Sequence, residues 1–181
     1  MNNLLYWCHH HGKEVPVGKF TVCAGGMMHM GNADFSGFDT MVALTEYIPS
    51  RIWHQGFKGI KVLSYPVSDY DKADGPWPKF LEEIVQLLNG GSRILIFCDG
   101  GHGRTGMMLA SLIALVEKPP DPIAVMRERY CDLALESFEQ AEAVFSLMGR
   151  GLPIPYLQLP KRTEILNELF SKLKARSKPR G

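Results

Sequence analysis

Four residues at fixed spacing carry the chemistry of this chain: Cys98, Gly101, Arg104 and Thr105, in the segment Phe97-Cys98-Asp99-Gly100-Gly101-His102-Gly103-Arg104-Thr105-Gly106. Arg104 lies six positions after the cysteine, so five residues separate thiol from guanidinium. A thiolate at Cys98 is a nucleophile, and the backbone N–H groups of Asp99, Gly100, Gly101, His102 and Gly103 can converge above it on one anion. Glycines let those amides turn inward without side-chain clashes. Arg104 closes the cradle and can fork onto two oxygens of a tetrahedral anion. A helix opening at this point adds positive potential and, with Arg104, favours the thiolate. Thr105 is placed to give a hydroxyl hydrogen bond to the sulfur when it departs. The chemistry implied is displacement at a phosphate ester, with sulfur as the attacking atom.

Two other phosphate loops share parts of this pattern. Gly101-x-Gly103-x-x-Gly106 satisfies the dinucleotide fingerprint G-x-G-x-x-G, but that fold needs a second strand ending in an acidic residue about 20 positions on. Here Pro119-Pro120 and further helices follow. A nucleotide-binding Walker loop needs Lys and then Ser or Thr after its last glycine, and Met107-Met108 stand there instead. A cysteine that is simply buried at a strand end is the plain alternative.

The elements around the motif must hold it. Arg93–Cys98 is an apolar run of strand length, suited to burial on both faces. Residues 104–116 are apolar nearly all round, as a central helix would be, and Pro119-Pro120 ends them. Upstream, residues 4–8, 20–23, 40–44 and 59–64 read as short strands. Residues 25–37, rich in Gly and Met, read as a loop, and Ser50 caps a short helix to Gly56. The acidic, proline-bounded stretch 65–76 is neither one helix nor one strand. Residues 77–88 have helical period. Asp121-Pro122 starts a helix to about Tyr130, and Ser137 with Gln140 forms a capping box for another to about Met148. Residues 149–160 read as a loop and 163–173 as a last amphipathic helix. The fold class is α/β, a central, mostly parallel mixed sheet flanked by helices.

The chain has 181 residues, 45% of them hydrophobic, which suits one domain over residues 1–160 followed by a helix and basic tail over 161–181. No apolar run reaches the ~18 residues of a membrane span, and the N-terminus has no signal-peptide pattern. Four widely spaced cysteines without such a signal point to a reducing, cytoplasmic setting. Residues 1–160 carry 13 basic and 17 acidic side chains, and residues 161–181 carry 7 and 2. The body is therefore no nucleic-acid binder by charge, while the tail suits weak contact with an anionic surface or is a solvated end. Cys8-His9-His10-His11 imitates a metal site, but neighbours along a strand point to opposite faces, so a polar strand edge is expected.

The loop Cys98-Asp99-Gly100-Gly101-His102-Gly103-Arg104-Thr105 resembles the C-x5-R-[ST] signature of the cysteine-dependent protein tyrosine phosphatases, in particular their compact dual-specificity branch. The resemblance covers about residues 38–147. It implies a protein tyrosine phosphatase-like fold and hydrolysis of phosphomonoesters through a phosphocysteine, with no metal and no cofactor. It also implies a general-acid aspartate on a loop before the catalytic strand. Tyr65-Pro66-Val67-Ser68-Asp69 lies there, which makes Asp69 the candidate acid, with Asp71 and Asp74 as alternatives. Residues 129–140 resemble the segment before the family's closing helix, where Gln140 either positions water or serves only the capping box.

Two positions depart from the family pattern. Phe97 stands where His usually precedes the nucleophile, and Asp99 puts a negative charge beside the cradle, which a protonated His102 would offset. A loop with an acid and without added cations favours a phosphorylated protein or peptide over a phosphoinositide. Tyr70, Trp53 and Trp77 would line a phosphoaryl pocket or simply pack, and Met27, Met28, His29 and Met30 would border it or belong to the core. Two other readings stay open: a phosphate-binding pseudophosphatase, and an RNA 5′-triphosphatase on the same fold.

Overall fold

The apolar run that ends in Cys98 is the middle of the sheet. The computed structural model describes residues 11–29, 35–48 and 59–176. Its strands are β1 (His11–Val17), β2 (Phe20–Gly26), β3 (Thr40–Ala43), β4 (Lys61–Ser64) and β5 (Ile94–Cys98). They lie side by side in the order β1-β2-β5-β3-β4. β5 is parallel to β2 and β3, β4 is parallel to β3, and β1 alone is antiparallel, against β2. All five residues of β5 are buried. Alternation divides them between two faces. Ile94, Ile96 and Cys98 join Val42, Leu44 and the helices, whereas Leu95 and Phe97 join Met27, Phe35, Met41 and Ala43. Phe97 is thus core on the face away from the nucleophile.

The helices are α1 (Trp77–Asn89), α2 (Gly103–Val116), α3 (Pro122–Arg129), α4 (Phe138–Ser146), α5 (Ile154–Leu157) and α6 (Arg162–Arg176). Helix α2 is buried without a break from Gly103 to Ala114, as its all-round apolar sequence requires. Ser111 interrupts that apolar run and is satisfied by the Trp77 indole N–H at 3.4 Å. Trp77 is itself core, packed on Tyr65 and Phe80, and lines no pocket over the cradle. Helix α3 is capped as expected, Ala124 N–H donating to the Asp121 carboxylate at 2.9 Å. Ser137 caps α4, its hydroxyl accepting from Gln140 N–H at 3.3 Å. Each such cap stabilises a helix by about 1 kcal/mol. No helix among the described residues is long and apolar enough to cross a membrane.

The structure departs from the sequence reading in three places. Strand β1 was not anticipated: Val15 and Val17 point inward between exposed Glu14 and Pro16, and the proline is tolerated because this strand is an edge. Strand β2 runs on through Gly25 and Gly26, expected in a loop, and Met27–His29 is one turn of 3-10 helix. Within residues 149–160 the single turn α5 buries Tyr156, whose hydroxyl donates to the Asp121 carboxylate. The expected strand at residues 4–8, the Cys8–His10 cluster, Met30, the helix after Ser50 and Trp53 lie outside the described residues.

Candidate active site

The cradle forms where β5 ends and α2 begins, at the carboxyl edge of parallel strands, where α/β sheets bind ligands. Its carbonyls face outward onto the scaffold. Asp99 O accepts Met28 N–H at 3.1 Å, and His102 O accepts Gly106 N–H at 2.8 Å and Leu135 N–H at 3.3 Å. Gly101 O accepts the buried Tyr130 hydroxyl at 2.6 Å. A planar peptide holds its N–H opposite its C=O, so the Gly100, His102 and Gly103 amides turn the other way. Gly101 N–H donates to Cys98 Sγ at 3.2 Å. Gly101 adopts φ +80°, and a methyl added there would lie 2.6 Å from Gly26 N, so the loop rests directly on the backbone of β2.

Arg104 is 4% exposed and reaches three partners. Its Nη1 donates to Val67 O at 3.0 Å, and its Nη2 lies 2.7 Å from Asp99 Oδ2 and 3.2 Å from Asp69 Oδ1. Its Nε is buried and has no hydrogen-bond partner among the described residues. Burial opposes the guanidinium charge, but Cys98, Asp69 and Asp99 outweigh it and hold Arg104 above its ordinary pKa.

The three candidate acids now separate. Asp69 stands at Arg104, Asp71 pairs with Arg162 at 3.4 Å, and Asp74 offers its carbonyl to the Tyr65 hydroxyl. The loop that carries them is fastened over the cradle. Tyr70 takes a left-handed φ of 61°, and its carbonyl accepts the Ser137 hydroxyl at 2.7 Å. Arg162 Nε, from the first turn of α6, donates to Asp69 O at 3.1 Å. This contact joins α6, in the segment expected to follow the domain, to the loop that carries Asp69.

Two expected roles change with the geometry. The Thr105 hydroxyl, fully buried, donates to Gly25 O at 3.4 Å and not to the sulfur. It braces the cradle against β2 in this arrangement. His102 does not offset Asp99 near neutral pH: burial and the neighbouring His29 push its pKa below the ordinary value. Arg104 supplies that counter-charge instead. Gln140 is fully buried and within reach of the cradle, its Oε1 accepting Glu136 N–H at 2.8 Å. Its Nε2 has no partner among the described residues. A methyl on Gly103 would lie 2.7 Å from that nitrogen.

Glu136 was not foreseen. It follows Leu135, which has φ 66°, and its carboxylate accepts Gly103 N–H. Burial, then the charge of Asp69, push its pKa up to about 7, against the smaller opposing effects of that bond and of Arg104. A carboxylic acid that holds its proton to neutrality thus stands beside the cradle. A raised folded pKa means stability that is full below the unfolded value near 4.5 and is lost as pH rises towards 7. Glu136→Gln removes the titration. Its stability relative to wild type should improve by on the order of 2–3 kcal/mol between pH 4.5 and pH 8, read from urea midpoints at both. A difference that does not change with pH would contradict the placement.

Comparison with known proteins agrees with this geometry. A crystal structure of Tk-PTP in its active form superposes with a TM-score of 0.60 at 20% identity, covering 77% of this chain and 98% of that one. Human DUSP28 gives a TM-score of 0.56 at 14% identity, covering 74% and 91%. At these identities the likeness is one of fold. In sequence, the uncharacterised protein MJECL20 of Methanocaldococcus jannaschii is 34% identical over 97 residues, 51% of this chain and 63% of that protein. A second from the same organism, MJ0215, is 35% identical over 107 residues, 57% and 59%. The chain thus spans about three-fifths of the length of these curated relatives. The model of the Swiss Army Knife protein DSP-PTPase phosphatase domain matches residues 31–145, which include Asp69, the whole cradle, Glu136 and Gln140. With that match over most of its length and a dual-specificity-type fold around Cys98 and Arg104, the chain belongs to this phosphatase domain family of the cysteine-dependent protein tyrosine phosphatase superfamily.

Proposed function

We propose that this domain is a protein phosphatase that hydrolyses phosphotyrosine, with phosphoserine and phosphothreonine as further substrates, through a phosphocysteine on Cys98. One observation carries the reading: the buried Arg104 joins the cradle around Cys98 to Asp69, 3.2 Å away, and keeps its Nε–H without a partner among the described residues. Cys98 thiolate attacks phosphorus in line, the P–O bond to the leaving group breaks, and Asp69 gives its proton to the departing oxygen. Cradle amides and Arg104 hold the equatorial oxygens of the transition state. Water then attacks the phosphocysteine, its proton passes to Asp69, and the sulfur leaves as thiolate. Glu136 is a second proton-holding group at the same place, and Gln140 Nε2 is a donor available to that water.

The test is release of phosphate from a phosphotyrosine peptide with a chelator present, together with acid quenching during turnover and mass analysis of the Cys98 peptide. Chelator-resistant turnover with a phosphate mass on Cys98 is expected. Turnover without that adduct, or turnover abolished by the chelator, would remove the mechanism. The pseudophosphatase reading draws on the 2.7 Å Asp99–Arg104 pair, which occupies a phosphate-binding donor. It predicts phosphate binding without turnover. The carboxylates around Arg104 speak against a triphosphate end.

The tie from Arg162 to the acid loop has a kinetic consequence. Arg162→Gln loses the ion pair to Asp71 and loosens the bond to Asp69 O. An exposed pair of this kind contributes about 1 kcal/mol or less. Expected is a three- to tenfold fall in kcat with an unchanged inhibition constant for phosphate, since the cradle is untouched. A matching loss of phosphate affinity would show that the arginine serves the cradle instead.

A further inference from the structure

Resting on the phosphatase reading above, we propose that Asp99 is a specificity-determining residue. Its carboxylate, paired with Arg104 within the cradle, makes the site select phosphate monoesters that carry a cationic group beside the phosphoryl group. It discriminates against esters that carry further anions.

The charges around the guanidinium are out of proportion to one arginine. Asp99 and Asp69 share its Nη2, at 2.7 and 3.2 Å, while Nη1 donates one hydrogen bond to the Val67 carbonyl. Only Nε is left without a partner among the described residues. A phosphoryl group taking up that edge of Arg104 arrives in contact with both carboxylates. Their roles differ. Asp69 must hold a proton to act as the acid, so it brings no charge to the reacting complex. Asp99 belongs to the cradle itself and transfers no proton in the mechanism, so its charge meets the phosphate dianion directly.

The neighbouring residues offer little compensation. His102 is pushed below its ordinary pKa by burial and His29, and Arg162 is engaged by Asp71 and the Asp69 carbonyl. Asp99 is, however, 47% exposed, so a cation brought by the substrate can reach it. Such a cation takes over Asp99 as the phosphoryl group takes over Arg104. Two charges about 4 Å apart at a protein surface interact strongly enough to give about tenfold discrimination even with generous solvent screening. An arginine or lysine next to the phosphoresidue of a peptide supplies this group, and so does the ammonium of a small phosphoester.

The experiment compares kcat/KM for two phosphotyrosine peptides that differ only in flanking Arg or Glu. O-phosphoethanolamine against glycerol 3-phosphate is the small-ester arm, and p-nitrophenyl phosphate is the reference. Wild type should favour the cationic member by about tenfold, in the peptide arm if the cation comes from a peptide and in the ester arm if it comes from a small molecule. Asp99→Asn, with Asp99→Ser as a second variant, should reduce that preference to about twofold or less. It should also tighten inhibition by inorganic phosphate about fivefold. Equal rates within both arms overturn the proposal, and so does a preference that persists in both variants. If wild type hydrolyses none of these esters, the phosphatase reading fails separately. Calorimetry of inorganic phosphate then still decides on Asp99: tighter binding in the variants supports the assignment, and unchanged or weaker binding overturns it.

Discussion

Cys98→Ser is expected to abolish turnover, by at least about 10⁴-fold, while phosphate binding survives. A serine hydroxyl is far less acidic than a thiol, and the hydrogen-bond partner at this position is Gly101 N–H, a donor and not a base. Apart from Gly101 N–H, the contacts that shape the cradle are separate from the nucleophile. Its carbonyls are tied back by Met28, Tyr130, Gly106 and Leu135, and Arg104 is fixed by Val67. None of these contacts involves the sulfur. Serine brings no thiolate charge against a bound dianion, so phosphate affinity in the variant should equal or exceed that of wild type. Rates on p-nitrophenyl phosphate and calorimetry with phosphate read the two effects apart. Turnover retained within tenfold would mean that another group attacks phosphorus. Binding lost along with turnover would mean that the sulfur builds the cradle, and not only the bond.

What could be read from the residues follows the range of the contacts. Cys98, Arg104 and the helix behind them are local: strand, turn and helix are consecutive, and five intervening residues fix the geometry. Strand β5 and helix α2 were legible for the same reason, as unbroken apolar runs that must be buried. Asp69 is 29 positions from Cys98, and nothing in residues 65–76 alone distinguishes it from Asp71 or Asp74. Tertiary contacts separate their positions: the Asp69 carboxylate lies at Arg104, and that of Asp71 pairs with Arg162. Glu136 was hidden because its proximity depends on Gly103, across the fold, having no side chain. The available signal was a lone glutamate directly before the Ser137 cap, and such residues are ordinarily solvated. Strand β1 was hidden by Pro16 and by alternation over only two buried residues, Val15 and Val17. The two-residue turn Gly18-Lys19, with Gly18 at φ 59°, was its legible mark.

Asp69→Asn should slow turnover by about 10²–10⁴-fold, and the size of the loss should depend on the leaving group. Asparagine keeps the shape and can still face Arg104, but it has no acidic proton to give. An alkyl or tyrosyl oxygen departs badly as an anion, so esters of these groups lose most. p-Nitrophenolate departs readily unprotonated, so its ester should lose far less, and the ratio of the two losses isolates proton donation from any shift of the loop. Competition from Glu136 gives the experiment its second arm. Burial and the charge of Asp69 push that carboxyl's pKa up to about 7. With Asp69 neutralised, Glu136 loses a repulsive neighbour and its pKa falls, so whatever small residual rate depends on its proton should decline on the alkaline side from a lower pH. If Glu136 alone donates the proton, Asp69→Asn will leave the tyrosyl ester rate within a fewfold of wild type and Glu136→Gln will take the large loss instead. If Asp69 is the acid, the double variant should be little slower than Asp69→Asn on the tyrosyl ester, because the proton it lacks has already been lost.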